Sequence, residues 1–200
     1  MNKNYLLISL FVLIACLSFK AYSQEKNRIT VFSGVFSDAV FANSRLGAGS
    51  QEHNGSTFFG IRYLRNLNNS FSIETGLEYA SNRMQTAPAF YPGIDRTPTK
   101  EVIQMFSVPF YGNLTFLRHL FINAGAIVDF ETNISDNRLN AADNQSGIGF
   151  GFGVGGKYTF KKITFIANPF FQSHAVIPFE TKQSGRLMEL GVRVGAGYNF

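Results

Sequence analysis

Two hundred residues with 45% hydrophobic and 15% aromatic content, but only 16% charged, bound the chain to one domain, or one with a small appendage, and exclude a disordered one. The formal charge of +5 comes without a basic cluster suited to nucleic acid. A single cysteine, Cys16, excludes a disulfide framework and a thiolate metal site.

The chain begins with Lys3 and an apolar run from Tyr5 to Ala15, followed by Ala21-Tyr22-Ser23, the small-x-small pattern of a signal-peptidase site before Gln24. This predicts a signal peptide over residues 1–23 and a mature domain over 24–200. The run is too short for a bilayer-spanning helix, which needs about 20 residues. "LIAC", Leu13 to Cys16, also resembles a lipobox in which Cys16 would carry lipid, so two routes of processing stay open. Cleavage after Ser23 removes Lys3 and Lys20, lowering the charge by two, and removes Cys16 as a nucleophile.

After Gln24 the pattern is alternation. It recurs in eight predicted strands over residues 29–41, 57–65, 71–82, 102–114, 120–131, 148–160, 163–172 and 187–200. Three connections are short, through "NLNNS", "FLRH" and "KK". Four are long, over 43–56, 83–101, 132–147 and 173–186, and rich in Asn, Gln, Thr, Ser and Pro. Short turns alternating with long loops predict an all-β, eight-stranded, antiparallel up-and-down barrel with its long loops at one end. Outer-membrane barrels show that asymmetry.

The stretch "GIGFGFGVGGKYTF", Gly147 to Phe160, sets Gly147, Gly149, Gly151, Gly153 and Gly155 against Ile148, Phe150, Phe152 and Val154. Successive strand side chains point to opposite faces. Throughout segments two to eight one face carries bulky apolar groups and no charge, for example Phe59 and Ile61, Phe106 and Phe110, Phe165 and Phe171. The other carries glycines and charges. The first segment is apolar on both faces, and Gly34 and Asp38 are placed inward.

A narrow eight-stranded interior has little room for large groups, so the glycine face is expected inside and the aromatic face in lipid. Tyr63, Tyr79, Tyr158 and Tyr198 are expected near strand ends, at the membrane interface. A lone charge in the lumen would be costly. The reading therefore joins Arg62, Lys157 and Arg193 with Glu74, Glu78, Asp129 and Glu189 in one network. Phe121, Met105, Ile103, Ile166 and Phe170 would tend to fill the rest. Pro109 and Pro169, which lack a ladder donor, are expected to mark β-bulges.

The ending "ELGVRVGAGYNF", with Val192, Val194, Ala196, Tyr198 and Phe200, resembles the C-terminal signature read by the barrel-assembly machinery. "FSVPFYGNLTF", Phe106 to Phe116, resembles the "IPL-x-x-K-Y" strand of the PorT-like outer-membrane β-barrel family, often labelled "porin family". Pro109 sits at the family's proline, while Tyr111-Gly112-Asn113 replaces its lysine and tyrosine. The resemblance implies a barrel similar to OmpA-like and OmpX-like proteins. It brings no catalytic residues.

Few residues suggest chemistry. His53, His119 and His174 are isolated in sequence and are expected in a loop, a turn and a strand end, without metal. Ser173, His174 and Glu180 are the local candidates for a lipid-modifying hydrolase, but neighbouring strand residues point apart. Glu74 and Glu78 have a spacing that also suits glycosidase carboxylates, with lumen ion pairing the preferred reading. No catalytic residue, cofactor or metal is expected.

The expectation is a non-enzymatic barrel of a Gram-negative outer membrane, with periplasmic N- and C-termini and four outward loops. Its role would be structural or adhesive. Membrane lipids, the assembly machinery and a surface partner for the loops would be its partners, and nucleic acid would not. A narrow passage through the lumen is the alternative, followed by a lipid-modifying enzyme and a soluble lipocalin-like barrel.

Overall fold

The computed structural model describes residues 26–42, 50–53, 56–87, 99–132, 144–179 and 185–200. The predicted signal peptide, with Cys16, Ser23 and Gln24, lies outside the described residues. No helix occurs among them. The strands are β1 (Asn27–Ala42), β2 (Ser50–His53), β3 (Ser56–Asn66), β4 (Phe71–Ala87) and β5 (Thr99–Phe116). They continue with β6 (Leu120–Glu131), β7 (Gly147–Phe160), β8 (Ile163–Pro178) and β9 (Gly185–Asn199).

Each strand pairs antiparallel with its neighbours in the order β2-β4-β3-β1-β9-β8-β7-β6-β5, and β4 pairs with β5 to close the ring. β2 and β3 lie along different stretches of the same partner, β4, and form one stave. The result is a closed eight-stranded barrel. Its seam runs from Arg28 opposite Asn199 to Ala42 opposite Gly185. From the short turns up to Phe36 closure leaves no strand edge, which in hydrocarbon would cost several kcal/mol for each unpaired backbone group; β2 and the end of β1 beyond Phe36 lack a described partner on one side.

Several strands run beyond their predicted ends. β4 reaches Ala87, β5 starts at Thr99, β8 reaches Pro178, and β2 lies in what reads as loop. The polar composition at these positions signals exposure beyond the apolar belt, while the ladder itself continues. Tyr79 is a consequence. It falls well inside β4, where its ring packs between Phe59 at 5.4 Å and Phe106 at 5.0 Å instead of marking a strand end.

Neither proline marks a bulge. Pro109 sits opposite Ile127 and Pro169 opposite Val192, with unbroken register on those sides. Toward β4 and β7 the ladder skips the proline neighbourhood but resumes in the same register. A closed ring tolerates a missing donor more readily than a slip, because one slipped residue would turn a whole face inside out. The bulge lies elsewhere. β7 advances from Ile148 to Phe150 while β8 advances from Ile177 to Ser173, and Ala175 there has φ 48°.

The outward face is apolar and uncovered. Val31, Val35, Phe59, Ile61, Leu77, Phe110, Phe165, Leu190 and Val194 are each more than half exposed. Soluble proteins rarely leave contiguous apolar patches beyond a few hundred Å², so this is the surface of a barrel solvated by hydrocarbon. The described strands have 11 to 18 residues apart from β2, against the roughly 9–11 that a tilted strand needs to cross.

Candidate functional site

The inward residues fill the lumen in three levels. At the level of the short turns, Arg28 on β1 is buried and Lys157 on β7 is half-buried. The Lys157 Nζ donates to Thr115 Oγ1 at 2.8 Å. It joins no carboxylate, because the lumen acids lie on deeper levels.

The middle level is an ion-pair network in an aromatic sleeve. Arg62 on β3 faces Gly76 on β4, so Glu74 and Glu78 flank it diagonally on the same face. Its Nη1 donates to Glu74 Oε1 at 2.6 Å and its Nη2 to Glu78 Oε2 at 2.9 Å. Arg193 reaches in from β9. Its Nη2 donates to the same Glu78 oxygen at 3.1 Å, and its Nη1 to Asn168 Oδ1 at 3.3 Å. These side chains are 4 to 10% exposed.

Rings close over the two guanidiniums. The Arg62 Cζ lies 5.0 Å from the centroids of both Phe32 and Tyr111. The Arg193 Cζ lies 4.5 Å from Phe170, 5.0 Å from Phe32 and 5.2 Å from Phe58. Phe58 itself packs on Phe32, Phe36 and Phe170. Such stacking is favourable for a desolvated cation. It offsets part of the cost of taking the charges out of water.

The bare glycine face makes this packing possible. A Cβ on Gly34 would strike the Phe58 ring, one on Gly155 the Phe121 ring, and one on Gly151 the Tyr111 hydroxyl. Phe121, Met105, Ile103 and Phe170 are buried inside, with Ile166 half-buried beside them. Phe32, Phe36, Phe58 and Tyr111 fill more of the lumen than the sequence reading anticipated. The signal for the β1 phenylalanines was the apolar run on both faces of that strand, which left their direction open.

The third level lies toward the long loops. His174 Nδ1 is 2.9 Å from Asp129 Oδ2, and its Nε2 is 3.4 Å from Glu189 Oε2. Ser107 donates to the other Asp129 oxygen at 2.6 Å, and Asn82 Nδ2 to Glu189 Oε1 at 3.0 Å. His174 is 1% exposed and lies inside β8, which corrects its placement at a strand end. The bulge also buries Ser173, His174 and Ala175 together, against simple alternation. Asp129 and Glu189 thus serve the histidine, and not the arginines. Glu189 sits two pleats above Arg193 on β9, with Gln172 and Tyr111, joined at 3.1 Å, between the levels. Above them Ile103, Met105 and Leu187 form a fully buried apolar cluster.

Ser173, the candidate nucleophile, is buried next to His174 at the bulge. Glu180 lies outside the described residues, as do the side chains of Asp38 and His53. His119 occupies the tight turn after β5 and stacks on Tyr158 at 6.5 Å. Among the described residues no group of His, Cys, Asp and Glu is arranged to hold a metal. A small, partly open cavity of about 20 Å³ lies beside the middle level and is lined by Thr30, Glu74, Asn123 and Asn168 with both arginines. Val192, Val194, Ala196 and Tyr198 all face outward, and Phe200 exchanges two backbone hydrogen bonds with Asn27 at 2.9 and 3.0 Å.

No family model matches the sequence, and no curated protein does. Solved structures match over nearly the whole chain. The outer membrane protein OprG from Pseudomonas aeruginosa superposes with a TM-score of 0.56 at 11% identity, covering 88% of this chain and 96% of that one. The outer membrane protein AlkL, determined in lipid bilayers by solid-state NMR, gives 0.54 at 12% identity, covering 92% and 95%. At such identities the likeness is one of fold: this chain is built as an outer-membrane β-barrel.

Proposed function

We propose that the protein is an integral, non-enzymatic barrel of a Gram-negative outer membrane, of the PorT-like kind, that holds its long loops at the cell surface. Both ends of the barrel sequence, near Asn27 and Phe200, lie with the short turns in the periplasm. Val192, Val194, Ala196, Tyr198 and Phe200 serve the assembly machinery, and the loops meet a surface partner. The observation that supports a scaffold over a channel is the lumen itself. Three stacked levels of ion pairs, rings and aliphatic groups span it, and its carboxylates Glu74, Glu78, Asp129 and Glu189 are all held by lumen side chains.

Single-channel recording tests this in planar bilayers. The expected result is no stable conductance, and a reproducible ohmic step would overturn the scaffold reading. The partly open cavity beside Arg62 and Arg193 is what favours the second reading, a narrow passage. Lipid contact has its own test. Val154 faces outward near the middle of β7 and is 43% exposed. Val154→Arg should cost about 2–4 kcal/mol in urea titration of the bilayer-inserted protein. A cost near zero would place that face outside the hydrocarbon.

A further inference from the structure

The described side chains at the short-turn end of the barrel carry charge of one sign. Arg65 at the end of β3, Arg118 in the β5–β6 turn, and Lys161 and Lys162 in the β7–β8 turn sit on its rim, with Lys26 before β1. Arg28 and Lys157 line the mouth just inside. Among the described residues no Asp or Glu lies at this level. The nearest side-chain carboxylate, Glu74, is bound to Arg62. In sequence Glu25 is the single acidic neighbour, and it lies outside the described residues.

The same end carries an outward belt of rings. Tyr63, Phe116, Tyr158, Phe160 and Tyr198 are 37 to 62% exposed. Amphipathic aromatics favour the headgroup level of a bilayer. Two of the cations are fixed against that belt: Lys161 Nζ lies 5.6 Å from the Phe160 centroid and Lys162 Nζ 5.8 Å from that of Tyr198. Arg118, beyond the end of β5, is exposed with φ 63°, held in the tight turn whose His119 stacks on Tyr158. The cations therefore stand at headgroup height around the ring, where lipid phosphates lie.

We propose that this rim selects anionic phospholipid headgroups in the leaflet that contacts the short turns, gathering a belt of negatively charged lipid around the barrel. The proposal rests on the reading of the protein as a membrane barrel. It commits to phospholipid because the basic residues are set on a lipid-facing aromatic belt, instead of on a surface projecting away from it. Each basic residue near an anionic surface contributes roughly a fivefold preference at moderate salt.

The test uses the mature protein refolded into vesicles of equal phosphatidylglycerol and phosphatidylcholine, with insertion verified by heat-modifiable migration. Spin-labelled lipids then report which species contacts the barrel. The expected result is a preference of roughly fivefold for the phosphatidylglycerol label, lost in about 1 M salt where screening falls to about 3 Å. The five-residue variant Lys26→Gln, Arg65→Gln, Arg118→Gln, Lys161→Gln, Lys162→Gln should bring the preference close to unity while inserting normally. The double variant Lys161→Arg, Lys162→Arg should retain it. Equal contact of both lipids with the inserted wild type, or a preference that survives the five-residue variant, overturns the proposal. So does salt-sensitive binding to peptidoglycan sacculi in the absence of lipid selectivity. Failure to insert at all would instead overturn the membrane reading beneath it.

Discussion

The middle and the loop-side levels of the lumen solve one problem in different ways. In the middle, Glu78 is shared by Arg62 and Arg193, and Glu74 caps the outer side of Arg62. The cations there are guanidiniums, charged at every accessible pH, and rings cover their faces. On the loop side two carboxylates, Asp129 and Glu189, converge on one imidazole, helped by the Ser107 hydroxyl and the Asn82 amide. One level is balanced by permanent charge and planar stacking. The other is balanced by a single histidine and by neutral hydrogen-bond donors. The middle level should therefore carry more of the stability, and the loop-side level should be the softer of the two.

The sharpest way to break this contrast is Glu78→Leu, which leaves Arg62 and Arg193 facing each other with Glu74 alone. Loss of about 3–5 kcal/mol is expected, as for a buried pair stripped of one partner, read from urea titration of the inserted barrel. A loss below that of the histidine variant would reverse the ranking. His174→Ala comes next. It leaves Asp129 and Glu189 close together, but each keeps a neutral donor, and about 1–3 kcal/mol should be lost.

The packing around the two levels gives a smaller effect of the same kind. A Cβ on Gly60 would meet the Leu77 carbonyl and the Phe32 ring of the aromatic sleeve, whereas one on Gly153 would meet only the side-chain ends of Asn123 and Asn168. Gly60→Ala should cost about 1–3 kcal/mol, and Gly153→Ala clearly less, in the same titration. Smallest of all is Pro169→Val, which restores a ladder donor toward β7. A gain of about 0.5–1 kcal/mol is expected. A loss would mean that the proline geometry there is required.

These contrasts also show what the residues announced in advance. Alternation from Thr57 to Phe200 was enough to orient most of the barrel wall, because a period of two admits only two answers and a charged residue facing lipid excludes one of them. The short turns were equally plain. Arg62 with Glu74 and Glu78 was readable as a group, since β3 and β4 form a hairpin whose register follows from its turn. Arg193 could be assigned to the lumen network from its face, but its particular partner Glu78 could not, and His174 was missed as a member. Their partners come from strands far away in sequence, and pairing across a lumen leaves no local trace.

His174 was hidden further by the bulge, which breaks the alternation of "QSHAVIP" and makes a lumen residue resemble the start of a loop. The prolines misled in the opposite direction. They supplied a local reason for a bulge, but register is a property of the whole ring, and the ring held. Phe32, Phe36 and Phe58 were obscured because glycine reads as empty space, while its effect is to admit a ring from across the barrel.

The seam between β1 and β9 has one more consequence. Asn27 and Phe200 are already joined by a reciprocal pair of backbone hydrogen bonds, so the ring has no privileged starting stave. A short linker joining those residues, with new ends opened between Lys161 and Lys162, would preserve each strand neighbour in rotated order. The architecture is that of a loop that can be cut at any short turn and still close on itself.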